Sequence, residues 1–134
     1  MARYVVDALT LLHLVDNELE AHRSHQLVAP NWVRSEALQL LLLDVRNGKR
    51  PERAALQAHE RITELKMRLL GDRVSRRKAW DLAIEHDWET LREAEYLSIA
   101  RLQADALVTV DPELASRAED IVPVASLEAL LVAG

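Results

Sequence analysis

The sequence contains no cysteine, which excludes disulfide scaffolds, thiolate metal sites and cysteine nucleophiles and fits a reducing interior. Glycine is almost as scarce, at 3 residues in 134. Without glycine-rich turns there is neither a phosphate-cradling loop of the Walker type nor a dinucleotide fingerprint, so nucleoside-triphosphate chemistry is not expected. Aromatic residues make up only 4% of the chain, and Trp32, Trp80 and Trp88 sit within apolar patterns. Packing in a core or interface is therefore their expected role, ahead of stacking on bases. Long apolar runs are also missing: the longest, Leu38 to Val45, is broken by Gln39 and Asp44 and falls far short of the ~20 residues a membrane span needs. Asp7 lies where a signal peptide would be apolar, so a cytoplasmic protein with no membrane association is expected.

What the chain does have is enough length for a core. A sequence of this size makes one domain, residues 1–134, and buries roughly two-thirds of the surface its unfolded form exposes. The net charge of -5 argues against broad nonspecific binding to nucleic acid, yet 14 of the 17 basic residues are arginine, the better phosphate ligand. Two groups, Arg46, Lys49, Arg50 and Arg53, then Arg68, Arg73, Arg76, Arg77 and Lys78, surround successive turns between helices. Each fits an RNA-guiding patch, but solvated helix ends near C-terminal dipoles are the more frequent meaning of such groups. The five histidines show no metal-ligand spacing.

Short apolar runs at Tyr4 to Val6, Ala106 to Val110 and Ile121 to Val124, with a weaker one at Gln26 to Val28, predict buried strands. Between them, Asn31 to Asn47, Pro51 to Leu70, Ser75 to His86 and Arg92 to Gln103 carry helical periodicity. Asn31 is the expected cap of the first of these, Gly48 its end, and Pro51 and Pro112 mark helix starts. Strands alternating with helices predict an α/β fold, a short parallel sheet flanked by helices on both faces.

Acidic residues on polar faces are uninformative; those on apolar faces or at strand ends are not. Asp7 and Asp111 directly follow the runs Tyr4 to Val6 and Ala106 to Val110, at the carboxyl edge where open α/β sheets bind ligands. Glu36 stands three residues after Val33 and four before Leu40, within an apolar stripe. Glu93 precedes Tyr96 and Leu97 by three and four and also turns inward. By periodicity, neither glutamate has a basic partner on its own face, since Arg34 and Arg92 point elsewhere. Taken singly, each acid is more often a helix cap, a solvated strand end or half of an ion pair. Together, buried carboxylates without partners favour a bound cation, and an all-oxygen set suits Mg²⁺ or Mn²⁺. The chemistry that follows is hydrolysis or phosphoryl transfer at a phosphate ester, with one ion or two.

Several segments, in order, resemble PIN domains, and among them the VapC toxins of prokaryotic VapBC toxin–antitoxin pairs. They are Tyr4-Val5-Val6-Asp7-Ala8, Arg34-Ser35-Glu36-Ala37-Leu38, Glu93-Ala94-Glu95-Tyr96-Leu97 with Ala100, Leu107-Val108-Thr109-Val110-Asp111, and Ile121-Val122-Pro123-Val124 followed by Ser126-Leu127. The resemblance spans nearly the whole chain and implies a single PIN-like domain. It maps the family's metal-binding acids to Asp7, Glu36, Glu93 and Asp111, and its hydroxyl residue beside the last acid to Thr109. It further implies a Mg²⁺- or Mn²⁺-dependent ribonuclease that cuts RNA with metal-activated water, leaving a 5′-phosphate and a 3′-hydroxyl. A VapB-like antitoxin that fills a hydrophobic groove, and a homodimer, are the implied partners.

Two positions depart from that pattern. Glu93 stands where most relatives have aspartate, and Leu9 where they have a small hydroxyl or amide side chain; Thr10 is adjacent but is expected to point differently. Both departures predict reduced activity or greater dependence on Mn²⁺, and they keep a noncatalytic PIN-like protein that binds RNA or a protein partner as the alternative. A phospho-accepting receiver domain is set aside, because Asp7 stands alone after the first strand and no lysine follows the last.

Overall fold

Alternating burial on both faces of a strand needs residues that are apolar on both sides, and Arg3–Val6 (β1), Gln26–Pro30 (β2) and Ala106–Val108 (β4) supply them. In the computed structural model, which describes residues 1–134, these strands join Arg68–Leu70 (β3) and Val124–Ala125 (β5) in one parallel sheet of order β3-β2-β1-β4-β5. The central register sets Val5 opposite Val28 on one side and Leu107 on the other, and all three are fully buried.

Helices fill the crossovers: Ala8–Asp16 (α1), Val33–Arg46 (α2), Glu52–Glu64 (α3), Arg73–His86 (α4), Arg92–Gln103 (α5), Pro112–Ala118 (α6) and Leu127–Leu131 (α7). Right-handed crossovers put α1 to α3 on one face and α4 to α6 on the other. Contacts follow the same division, α1 against α2 and α3, and α4 against α5. The chain reverses its direction of winding between β1 and β4, so the crevice at their carboxyl ends is the switch point of the sheet. No helix is long and apolar enough to cross a membrane.

The expected α/β class and parallel sheet are present, with four local corrections. The strand expected over Ala106 to Val110 ends at Val108, so Thr109 and Val110 lie in the loop that leads to Asp111. The helix expected over Pro51 to Leu70 stops at Glu64: Leu65 is extended and Arg68–Leu70 pairs with β2 as an edge strand. The run Ile121 to Val124 is strand only at its end. The Ile121 and Val122 N–H groups turn back to the Ala118 carbonyl, closing α6. Asn31 does not cap α2, whose N-cap is Trp32. The Asn31 N–H donates to Leu70 O at 2.8 Å, and its amide occupies the space that a Cβ on Gly71 would take.

Among the basic groups, Arg50 is spent on Asp16 at 2.9 Å and Asp44 at 3.2 Å, and Arg34 donates to the carbonyls that end α3. Trp32 packs edge-on against Tyr96, whereas Trp80 is exposed.

Candidate functional site

Asp7 is the residue where β1 becomes α1. It occupies the N-cap position in extended conformation, yet its side chain makes no capping bond; only its carbonyl serves the helix, accepting from Leu11 N–H at 3.0 Å. The carboxylate turns instead toward β4. Thr109 Oγ1 donates to Asp7 Oδ1 at 3.0 Å, and Thr10 Oγ1 donates to the same oxygen in a short contact. Each hydroxyl also accepts: Thr109 from Asp111 N–H and Thr10 from Val110 N–H, both at 3.0 Å. Two threonines thus lock the loop after β4 to the start of α1 through one carboxylate oxygen.

The other oxygen, Oδ2, is buried and has no hydrogen-bond partner. Asp7 itself is fully buried. Burial pushes its carboxyl above the ordinary aspartate range, against the opposing pull of the two hydroxyls and the more distant Arg92 charge. A lone pair withdrawn from water and left empty is costly, and in native structures it calls for an explanation.

Asp111 follows β4 and caps α6, its Oδ1 accepting from Glu113 N–H at 3.0 Å. One oxygen of this acid is therefore structural. Glu36, in the first turn of α2, is held by α5: Tyr96 Oη donates to its Oε1 at 2.7 Å, Arg92 Nη2 reaches the same oxygen at 3.2 Å, and Arg92 Nε forms a short bond to Oε2. Tyr96 Oη accepts from Ala8 N–H at 3.1 Å, tying Glu36 to the residue after Asp7. Burial and the Glu36 charge both raise the Tyr96 phenol, so it stays protonated and donating. Glu93 forms a short ion pair with Arg117, which also reaches Glu113 at 3.3 Å. Burial still leaves the Glu93 carboxyl above its ordinary range.

The expectation that Glu36 and Glu93 lack basic partners is corrected. Periodicity along one helix cannot see an arginine arriving from another, and both partners come from elsewhere: Arg92 from α5 to α2, Arg117 from α6 to α5. Arg34 does point away, as expected. The expectation for Thr10 is corrected too. Because α1 begins at Ala8, Thr10 sits on the first turn facing back to Asp7, while Leu9 is 40% exposed. The adjacent threonine therefore takes the supporting role that Leu9 cannot. The four acids share the carboxyl side of the sheet, but no three acidic or histidine side chains form a ready-made set of ligands in this conformation.

No family model matches the chain, and no curated protein matches it by sequence. Among solved structures it is similar to the crystal structure of PAE2754 from Pyrobaculum aerophilum, with a TM-score of 0.73 and 24% identity over 96% of this chain and 92% of that one. At that identity the likeness shows the fold.

As sites for a cation, the residues divide. Asp7 fits: a buried oxygen without a partner, on a carboxylate fixed by two hydroxyls, is what a hard ion would complete. Asp111 has an oxygen outside its capping bond. Glu36 and Glu93 fit only when their arginines are displaced.

Proposed function

We propose that the chain is a divalent-metal-dependent endoribonuclease of the PIN type, the toxin half of a VapBC-like toxin–antitoxin pair acting in the cytoplasm. The observation that carries this reading is the buried, unpartnered Oδ2 of Asp7 at the switch point of the sheet, beside the strand β4 that leads into Asp111. The ordered resemblance of five sequence segments supplies the reaction class. Asp7, Asp111, Glu36 and Glu93 would hold Mg²⁺ or Mn²⁺. The bound ion would polarise the scissile phosphate and supply hydroxide from a coordinated water at neutral pH.

The protein's own contributions are positional. Thr10 and Thr109 saturate one oxygen of Asp7 and so aim the other. Tyr96 fixes the Glu36 carboxylate relative to Asp7 through its bond to Ala8 N–H. The partner surface is supported by the groove between α2 and α3, where Leu38, Leu42 and Leu56 are exposed and the buried Leu41 and Ala55 also line it, an apolar seat for an antitoxin segment. A homodimer completes the proposal.

The test is incubation of the purified protein with structured RNA in Mg²⁺ or Mn²⁺, with and without chelator, alongside Asp7→Ala. Cleavage to 5′-phosphate ends that chelator and Asp7→Ala both abolish is the expected result; cleavage indifferent to both refutes the reading. The pairing of Glu36 and Glu93 with arginines favours one alternative, a noncatalytic PIN-like protein. That alternative predicts binding of RNA or a protein partner without cleavage and without metal uptake.

A further inference from the structure

Arg92 is one of two arginines held against the candidate acids, and it is the one whose charge reaches Asp7 and whose hold is two-pronged. Two of its nitrogens engage both oxygens of Glu36, and its guanidinium carbon lies 5.5 Å from the centre of the Tyr96 ring. The charge sits close enough to Asp7 to favour that carboxylate's ionised form. With Tyr96 Oη also donating to Glu36, three donors claim a carboxylate with about four lone-pair positions. Asp7 Oδ2, by contrast, has no donor at all. The site is therefore unevenly filled: the fixed positive charge is on Glu36 and the unmet demand is on Asp7.

A divalent ion shared by Asp7 and Glu36 would need Glu36 lone pairs that Arg92 occupies, and it would sit beside a like charge. Exposure indicates which side can yield. The Glu36 side chain is 14% exposed and is pinned by Tyr96, whereas the Arg92 side chain is 36% exposed and has a solvent route from the first turn of α5.

We propose that Arg92 is an internal counter-cation that competes with the metal for Glu36, so that loading of the site requires the guanidinium to swing off the carboxylate. This inference rests on the metal-dependent reading above. It makes Arg92 a positioning residue that holds Glu36 in place when no ion is bound and lowers the affinity for the ion. A bidentate pair with one partner about a third exposed is a modest obstacle. Adding the repulsion between like charges, removing it is expected to tighten metal binding by about tenfold.

Two measurements test it on the full-length protein. Calorimetric titration with Mn²⁺ and Mg²⁺ compares wild type, Arg92→Gln and Arg92→Lys. The expectation is about tenfold tighter binding for Arg92→Gln and a smaller gain for Arg92→Lys, which keeps the charge but not the two-pronged contact. NMR of arginine side chains follows the Arg92 Nε–H, which should move from its hydrogen-bonded position to that of a free guanidinium as Mg²⁺ saturates. A role confined to holding the fold together would not produce that movement. Metal binding of equal strength in all three proteins, or an Arg92 resonance unmoved at saturation, overturns the inference while leaving the metal site intact. No metal binding by any of the three removes the site and the inference together.

Discussion

Replacing Asp7 with asparagine should make the metal-free protein more stable, because it removes a buried charge while keeping the shape that the two threonines grip. The amide oxygen can still accept from Thr10 and Thr109, and the amide nitrogen inherits the unpartnered position of Oδ2. What changes is the charge, whose burial in such a setting costs about 1–2 kcal/mol more than a neutral amide. Unfolding entropy of ~2.1 cal/mol/K per residue gives about 0.28 kcal/mol/K for 134 residues, so Tm should rise by about 5 °C at pH 7.

The direction of the pH effect follows from the raised carboxyl of Asp7. Below the ordinary aspartate range the group is protonated whether folded or unfolded, and the two proteins should not differ on its account. As pH rises through that range, the unfolded chain ionises first while the native one resists, so wild type loses stability relative to Asp7→Asn. The gap is complete above the raised native value. Divalent metal should reverse the order, since an ion at a hundred times its Kd adds about 2.7 kcal/mol to a protein that binds it. Thermal melts at pH 4 and pH 7, with and without Mg²⁺, provide the assay. An asparagine variant less stable than wild type at pH 7 without metal, or a difference that does not widen with pH, refutes the reasoning.

Thr10→Val should cost about 2 kcal/mol, because it strands the Val110 N–H and strips one donor from Asp7, whereas Leu9→Ser should change stability by less than ~0.5 kcal/mol. Chemical denaturation of the two variants checks this, and equal effects would mean that the supporting role is wrongly placed on Thr10. Glu93→Asp should raise RNA cleavage in Mg²⁺ relative to Mn²⁺, since the shorter side chain reaches less far toward Arg117. Initial rates in the two metals decide it, and a wild type that already cuts as fast in Mg²⁺ as Glu93→Asp would count against the idea.

The strands at the centre of the sheet were legible because Val5, Val6, Leu107 and Val108 are buried on both faces and read as unbroken apolar runs. The first turn of α5 was legible from Arg92 onward. By contrast α1 is hidden: Ala8, Thr10, Leu11, Leu12, Leu14 and Val15 are all buried, so the helix has little polar face and lacks the usual alternation. The edge strand β3 was absorbed into the preceding helix because Arg68 and Leu69 are exposed and carry no strand-like alternation. At the site, strand-end acids could be found from position alone, but the partners of Glu36 and Glu93 could not. Arg92 lies 56 residues from Glu36 and Arg117 lies 24 from Glu93, distances over which a helical period carries no information.

Of the two hydroxyls that position Asp7, one comes from its own helix and the other lies 102 residues further along the chain. A nascent chain therefore carries an Asp7 with only its local support until Thr109 has emerged. Fragments released by premature termination before Thr109 lack half of the pocket. On the nuclease reading proposed above, a chain stopped short of Thr109 holds no assembled site.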